Sequence, residues 1–310
     1  MLRFDWRRKR DTTWRKEQPN MKAALIGQGI AGSMTPEMHE AEGRAQGIDL
    51  SYGRIDTAKD PFRGMSVADL LHYSVDLGCV AVNVTHPFKT SVIDHLDELS
   101  RTAEELQAVN SVVFCDGRMV GHNTDYIGFH SAFGDFLGSS KTETVLMFGA
   151  GGAGSAVSLA LLDSGARNLE IVDPDFHRAQ ALVSRLKVLR PYAVLQASPS
   201  ISLDRVKLVD GVVNATPLGM DKYPGSVIEP SLLRPGAWVA DIVYFPLETS
   251  LLSSARTTGL RVMNGAGMAV HQAAASFEIF TGRIASISRL QSVFASLRQQ
   301  RMRDVRGATV

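Results

Sequence analysis

Short apolar runs alternate with longer segments of helical periodicity along most of this chain. One run, Thr144–Phe148, is almost entirely apolar and predicts a strand buried on both faces. It leads into Gly-Ala-Gly-Gly-Ala-Gly at residues 149–154, which opens a helix predicted to reach Ser164. Asn168–Val172 is the next predicted strand, and Asp173 follows it. The order is therefore strand, glycine turn, helix, strand and acid.

This order is typical of a βαβ unit that binds a dinucleotide cofactor. The glycines allow a tight turn and a close approach of the backbone to a pyrophosphate. The N-terminus of the following helix offers free N–H groups and the positive end of a dipole. Glycines at this spacing also occur in tight loops of other α/β proteins. The flanking strands and Asp173 favour cofactor binding over that alternative.

The rest of the chain from Met21 has the same αβ alternation. Further predicted strands cover residues 21–26, 50–56, 79–84, 110–115, 118–122, a segment near 193, 211–215, 238–243 and 261–264. Further predicted helices cover residues 35–46, 66–78, 100–108, 126–137, 174–187, 267–280 and 285–298. Asp116-Gly117 predicts a hairpin turn between two of the strands.

Several polar side chains follow predicted strands directly. Thr35 is predicted to cap the helix that begins at Pro36, whereas Ser33 lies at a strand end without such a role. Asp125 is explained equally well as the N-cap of the helix over 126–137. A lone lysine in a loop, such as Lys89, is usually solvated. His86 is a candidate acid–base residue, although a histidine beside a proline is more often structural or exposed.

Composition narrows the classes of function. The 310 residues suffice for two domains, and 45% hydrophobic and 21% charged residues are ordinary for a soluble protein. A net charge of +1 argues against nucleic acid as a partner, and no apolar run is long enough for a membrane span. Cys79 and Cys115 fall in predicted strands as buried hydrophobic residues. We expect a cytoplasmic protein.

The first twenty residues differ from the rest. They carry seven Lys or Arg against three Asp or Glu and lack the apolar stretch of a secretory signal. A basic arm for nucleic acid or membrane is one interpretation. We predict a disordered extension over residues 1–20, with the folded part beginning at Met21.

Together the motifs resemble those of the shikimate and quinate dehydrogenases, between about Lys22 and Arg283. The matching runs are, in chain order, Gly-Gln-Gly-Ile-Ala-Gly-Ser33-Met-Thr35-Pro, Asn-Val-Thr85-His-Pro-Phe-Lys89, Ala-Val-Asn110-Ser, Gly-His-Asn123-Thr-Asp125, Gly149-Ala-Gly-Gly-Ala, Asn214-Ala-Thr-Pro-Leu-Gly-Met220, Asp241-Ile-Val-Tyr244-Phe-Pro and Gly267-Met-Ala-Val-His-Gln272. The resemblance implies an α/β fold with an N-terminal αβ substrate-binding domain and a Rossmann-type dinucleotide-binding domain. The implied bounds are 21–125 with 266–300 for the first and 126–265 for the second.

The resemblance also implies a site. Lys89 and Asp125 would be the catalytic pair, and either could be the base that removes the hydroxyl proton. The substrate would be bound by Ser33, Thr35, Thr85, Lys89, Asn110, Asp125, Tyr244 and Gln272. The cofactor would be bound by Gly149, Ala150, Gly151, Gly152, Ala153, Asp173, Arg178, Thr216, Met220 and Gly265. No metal is expected.

Two departures from the shikimate-specific, NADP-using pattern refine this expectation. Thr35 stands where that pattern has serine, and Asp173-Pro174 stands where it has asparagine and arginine; Arg178 still matches a second arginine. We therefore expect NAD to be preferred over NADP, with quinate or shikimate as substrate. The alternatives are a shikimate or aminoshikimate-type paralogue of a specialised pathway and a cofactor-binding module without catalysis. We expect a monomer or homodimer.

Overall fold

The structure is a computed structural model that describes residues 20–138 and 140–307, without the side chains of residues 302 and 304–307. Its contacts divide the chain into two compact units. Unit 1 comprises the described residues up to Phe88, then Ser111–Met119, then those from Ala273 onwards. Unit 2 comprises Lys89–Asn110 and Val120–Gln272. The predicted domain bounds remain predictions. The basic extension lies outside the described residues except for Asn20, which begins the first strand.

Twelve strands and ten helices are present in the described part of the chain. The strands are β1 Asn20–Gly27, β2 Asp49–Asp56, β3 Ala81–Val84, β4 Glu98–Leu99, β5 Ser111–Cys115, β6 Arg118–His122, β7 Thr144–Phe148, β8 Asn168–Val172, β9 Val194–Ser198, β10 Gly211–Asn214, β11 Trp238–Asp241 and β12 Arg261–Met263. The helices are α1 Thr35–Ala45, α2 Val67–Asp76, α3 Arg101–Leu106, α4 Thr124–Leu137, α5 Gly152–Asp163, α6 Phe176–Leu189, α7 Leu203–Val206, α8 Ser250–Thr257, α9 Ala266–Thr281 and α10 Ile287–Gly307.

In unit 1, four strands pair in the order β2-β1-β3-β5. β1 is parallel to β2 and to β3, and β5 is antiparallel to β3. Ile26, Leu70 and Phe277 are fully buried and come from a strand and two different helices. Because β1 and β3 are parallel, their carboxyl ends lie at the same edge of the sheet.

In unit 2, six parallel strands pair in the order β12-β11-β10-β7-β8-β9. The order reverses between β7 and β10, which is the point where open α/β sheets bind ligands. Trp238, Met147 and Leu161 belong to its core, which confirms that the apolar run over β7 is a buried strand. Unit 2 also contains β4, which pairs in parallel with the last residues of β6.

Two candidate helix caps and one predicted helix start are displaced by one or two residues. Helix α1 begins at Thr35 itself, after Met34, whose side chain makes no capping bond. Helix α4 is capped by Asn123, whose side chain accepts a hydrogen bond from the Tyr126 N–H at 3.2 Å, and not by Asp125. The helix after Asp173 is capped by Asp175. In each case another residue occupies the capping position, so the cap does not explain the predicted site residue.

Other local predictions are confirmed. Ser66 caps α2 with a reciprocal bond to Asp69, and Ser100 caps α3. Asp116 and Gly117 both have positive φ angles in the hairpin between β5 and β6, as a turn with this twist requires. The prediction that both cysteines are buried in strands is confirmed only in part: both are free, Cys79 is buried but precedes β3, and Cys115 ends β5 and is half-buried. Among the described residues, none of the helices combines the length and apolar character needed to cross a bilayer.

Candidate active site

An ion pair between Lys89 and Asp125 is the central feature of unit 2. The Lys89 Nζ lies 2.5 Å from the Asp125 Oδ2, and the two side chains are 20% and 9% exposed. Lys89 follows β3 in the chain, and Asp125 is in the first turn of α4. A charged pair this shielded from water interacts more strongly than a surface pair, and an amine and a carboxylate in contact are suited to proton transfer.

Asn110, the residue before β5, orients this pair. Its Nδ2 donates to the Asp125 Oδ1 at 2.9 Å and to the Thr124 Oγ1 at 3.0 Å. Its Oδ1 accepts the Thr124 N–H at 2.7 Å. The side chain is buried, and both ends of its amide are therefore bonded. Each Asp125 oxygen has a different donor, which fixes the carboxylate with Lys89 on one side.

Thr124 contributes to the site although the sequence analysis did not predict it as a site residue. Its hydroxyl and its N–H both bond Asn110, and it is fully buried. It lies between Asn123 and Asp125 in the Gly-His-Asn-Thr-Asp motif. Because threonine is common at the start of a helix as a capping residue, its presence there did not indicate a role in the site. Only the tertiary contact reveals that Thr124 holds Asn110.

Gln272 and Tyr244 are also in unit 2. Gln272 is half-buried on α9, and a Cβ added at Gly128 of α4 would lie 2.8 Å from the Gln272 Cβ. Gln272 therefore packs closely on α4, one turn beyond Asp125. Tyr244 is 37% exposed and follows β11. The structure brings Lys89, Asn110 and Asp125 into direct contact.

Ser33, Thr35 and Thr85 are in unit 1, where they follow β1 and β3. The Thr85 N–H donates to the Ile26 carbonyl at 2.9 Å, which holds Thr85 beside the end of β1. The Ser33 Oγ accepts the Thr35 N–H at 3.3 Å. This bond uses an acceptor position of Ser33 and leaves its O–H as a donor. All three threonine and serine side chains are half-buried, and the side chain of His86 is exposed.

The glycine loop of unit 2 has the geometry of a phosphate-binding turn. Gly149 has φ +100°, and a Cβ there would lie 2.7 Å from the Ala215 carbonyl oxygen. A Cβ at Gly151 would meet no atom within 4 Å, so the backbone is open there. Gly151 is also the N-cap of α5 and supplies no side-chain bond to the first N–H groups. These N–H groups can therefore face an anion, and the loop fits a dinucleotide pyrophosphate.

Asp173 holds this loop to the end of β8. Its Oδ2 accepts the Ala150 N–H at 2.8 Å, and its Oδ1 accepts the Asp175 N–H at 2.9 Å. The side chain is buried. Each carboxylate oxygen can accept a second bond, so ribose binding by Asp173 is compatible with these contacts. Pro174 next to it is exposed and has no N–H to donate.

Of the remaining predicted cofactor residues, Thr216 and Gly265 follow strands of the same sheet. The Thr216 Oγ1 donates to the Asn214 Oδ1 at 2.6 Å, directly after β10. Gly265 follows β12, where a Cβ would overlap the Ile242 and Val243 carbonyls. Met220 is 38% exposed. The exposed Arg178 side chain lies 3.5 Å from the Asp175 carboxylate on the outer side of α6.

Comparisons with known proteins give the family of this chain. Two family models match: the shikimate dehydrogenase substrate binding domain over residues 25–112 and the shikimate 5'-dehydrogenase C-terminal domain over residues 265–289. A shikimate dehydrogenase (NADP(+)) of Pseudarthrobacter chlorophenolicus is 44% identical over 274 residues, which is 88% of this chain and 94% of the relative. The chain belongs to the shikimate dehydrogenase family.

Relatives in the family differ in the cofactor that they are named for. A quinate/shikimate dehydrogenase (NAD(+)) of Corynebacterium efficiens is 43% identical over 275 residues, 88% of this chain and 97% of the relative. The solved structure of quinate dehydrogenase from Corynebacterium glutamicum in complex with NAD has a TM-score of 0.84 and 42% identity. It covers 89% of this chain and 99% of that one. The fold class predicted from the sequence is thereby confirmed.

The family matches include most of the candidate substrate residues. The substrate-binding model contains Lys89 and Asn110, and the C-terminal model contains Gln272. The described residues contain no group of three or more His, Cys, Asp or Glu side chains that could hold a metal ion. The roles of the individual residues are proposals.

Proposed function

We propose that this protein is an NAD-preferring dehydrogenase that interconverts a ring hydroxyl of quinate or shikimate and the corresponding ketone. The observation that carries the proposal is the shielded Lys89–Asp125 pair, which is in the same unit as a glycine loop suited to a dinucleotide. The relatives named for quinate or shikimate support the substrate class. Localisation in the cytoplasm and a monomeric or dimeric state stay predictions.

The chain's own residues would move the proton. The cofactor, when bound in the glycine loop, would supply the hydride acceptor for the alcohol carbon, and the hydroxyl proton must leave at the same time. Lys89 can take that proton as a neutral amine and return it as an ammonium in the reverse direction. Asp125 already accepts from Lys89 and Asn110, so its contacts favour an orienting role.

Ring hydroxyls require hydrogen-bonding partners that are held in place. Asn110 and Asp125 in unit 2 are fixed by their mutual bond, which lowers the entropy cost of binding. We propose that Tyr244 and Gln272 add contacts in the same unit. In unit 1, Ser33, Thr35 and Thr85 offer hydroxyl groups, and we propose that Ser33 and Thr35 bind the substrate carboxylate.

The preference for NAD rests on Asp173 and Pro174. A carboxylate at the end of β8 can bond ribose hydroxyls, whereas the 2′-phosphate of NADP would face a like charge. Pro174 provides no donor for that phosphate. Arg178 is paired with Asp175 on the exposed side of α6, so some use of NADP remains compatible with the structure.

The test is a set of initial rates for quinate and shikimate, each with NAD and with NADP. We expect turnover with at least one of the two substrates and a higher kcat/KM with NAD. Turnover of shikimate alone, with NADP preferred, would support the paralogue of a specialised pathway, in line with the relatives named for NADP(+). Cofactor binding without turnover of either substrate would contradict the proposal and support the non-catalytic module.

A further inference from the structure

Two arginines donate to consecutive carbonyl groups of the loop that carries Ser33. The Arg54 Nη2 on β2 donates to the Ser33 carbonyl at 2.8 Å. Arg301 on α10 donates through its Nη1 to the carbonyl of Gly32. The residues are far apart in sequence but all belong to unit 1. Adjacent peptide groups of a glycine-rich loop are thus held by two charged donors, whose hydrogen bonds are stronger than those of neutral donors.

Arg54 is itself fixed by an acid. Its Nη2 also lies 2.5 Å from the Glu37 Oε1, and the two side chains are 30% and 39% exposed. Glu37 is in the first turn of α1, two residues after Thr35. The Glu37 contact offsets much of the Arg54 charge, so Arg54 acts mainly by fixing the loop between β1 and α1.

The hydrogen bond from Arg301 to the loop is possible only because residue 32 has no side chain. A Cβ added at Gly32 would overlap the Arg301 guanidinium. The φ of Gly32 does not lie in the left-handed region, so the backbone itself would accept alanine. Gly32 therefore leaves room for the Arg301 guanidinium to reach the Gly32 carbonyl. A substitution at Gly32 or at Arg301 would remove this contact.

We propose that Arg54 and Arg301 are positioning residues that hold the Gly32–Ser33 loop so that the Ser33 O–H faces the substrate carboxylate. This inference rests on the proposed function, in which Ser33 binds that carboxylate. The Ser33 Oγ accepts the Thr35 N–H, which leaves its proton to donate. Arg301 thereby makes the C-terminal helix part of substrate recognition.

The test is the kinetics of Arg301→Gln, with Arg303→Gln as matched control. Arg303 is exposed on the same helix. Losing one charge-assisted bond should raise KM for quinate or shikimate about tenfold, with kcat and the KM for NAD nearly unchanged. Arg301→Lys keeps a donor and should recover most of the loss. An unchanged KM in Arg301→Gln, or an equal rise in Arg303→Gln, would overturn the inference.

Two further variants test the contact itself. Gly32→Ala should raise KM as Arg301→Gln does, and the double variant should be no worse than either single one, because all three lack the same bond. Additive effects would show that the two residues act separately. Arg54→Gln should raise KM in the same direction, because it removes the charged donor to the Ser33 carbonyl, and an unchanged KM would contradict the role of Arg54.

Hydrogen exchange of the amides from Gln28 to Thr35 separates this inference from the proposed function. Exchange should be faster in Arg301→Gln than in the wild type, whether or not the protein turns over quinate. Equal exchange rates would overturn the positioning role. A wild type without turnover, but with faster exchange in the variant, would contradict the proposed function alone.

Discussion

The local sequence around Asp125 and its tertiary contacts indicate different roles for this residue. From the sequence it is an adequate N-cap for α4, and that explanation makes it unremarkable in function. In the fold Asn123 caps the helix, and Asp125 bonds Lys89 and Asn110 instead. The motif in the sequence identified Asp125 as a candidate site residue, but only the structure shows that its carboxylate accepts a hydrogen bond from Lys89.

Thr35 gives a prediction about substrate choice. It is the first residue of α1, and its methyl group distinguishes it from the serine of the shikimate-specific pattern. Thr35→Ser should shift the ratio of kcat/KM values for quinate and shikimate towards shikimate. One methyl group discriminates by about 1–3 kcal/mol, so the shift should be partial. Initial rates with quinate and with shikimate, for the wild type and Thr35→Ser, measure this shift. An unchanged ratio would show that Thr35 does not determine the choice of substrate.

At the scale of elements, two strands of unit 2 were predictable to the residue, whereas β10, β11 and β12 end one or two residues before their predicted ends. β7 and β8 match their predicted bounds because a continuous apolar run beside glycines has few other interpretations. The cap of α4 was displaced because Asn123 and Asp125 can both cap a helix and the contacts of Asp125 with Lys89 and Asn110 leave that role to Asn123, whereas α1 has no side-chain cap. β4, α7 and α8 were not predicted; β4 and α7, with two and four residues, are too short for periodicity to identify them.

Two glycines of the cofactor loop should respond differently to alanine. A Cβ at Gly151 meets no atom within 4 Å, whereas a Cβ at Gly154 would overlap the Gly149 carbonyl. Gly151→Ala should therefore keep the wild-type Tm and raise the KM for NAD about tenfold, by occupying space that the pyrophosphate needs. Gly154→Ala should lower Tm. Thermal melting and kinetics of both variants check this; an unchanged KM in Gly151→Ala would contradict the cofactor position.

Pro174 provides the cleaner test of cofactor preference. Changing Asp173 would also remove an acceptor from the Ala150 and Asp175 N–H groups, so its effect on the loop would obscure the result. Pro174→Arg leaves those bonds and adds a donor for the 2′-phosphate. We expect a wild-type preference for NAD of about a hundredfold, falling by about tenfold in the variant. Steady-state kinetics with both cofactors decide it, and a wild type that prefers NADP would refute the assignment.

At the scale of the whole chain, the C-terminal helix α10 is joined to α1 within unit 1 by a buried charge. Glu42 on α1 is fully buried, and both of its oxygens accept from the Arg289 Nη1, at 2.8 and 2.9 Å. Its pKa is lowered: burial alone would raise it, but bonds from the Ser286 N–H, Gln46 and Arg289 outweigh that effect. The sequence predicted both helices but could not indicate this pairing, which joins residues distant in the chain.

Arg289→Met should destabilise the protein by about 2–3 kcal/mol at pH 7, somewhat less than for a fully buried pair because Arg289 is 40% exposed. A lowered pKa means that the stabilisation is complete above the unfolded pKa of Glu42 and is lost as the pH falls through its folded pKa. The wild type and variant should therefore converge in acid. Urea midpoints at several pH values measure this, with the exposed Arg44→Met as control. A difference that is constant with pH would contradict the role of Glu42.

The most direct test of the proposed mechanism is kcat of Lys89→Gln beside that of the wild type, with quinate or shikimate and NAD at saturation. Glutamine keeps a donor for Asp125 but cannot take up a proton, and Lys187→Gln on the exposed face of α6 is the matched control. We predict a fall in kcat of about a hundredfold or more with an unchanged KM for NAD and an active control. A near-normal kcat in Lys89→Gln would show that Lys89 does not transfer the proton.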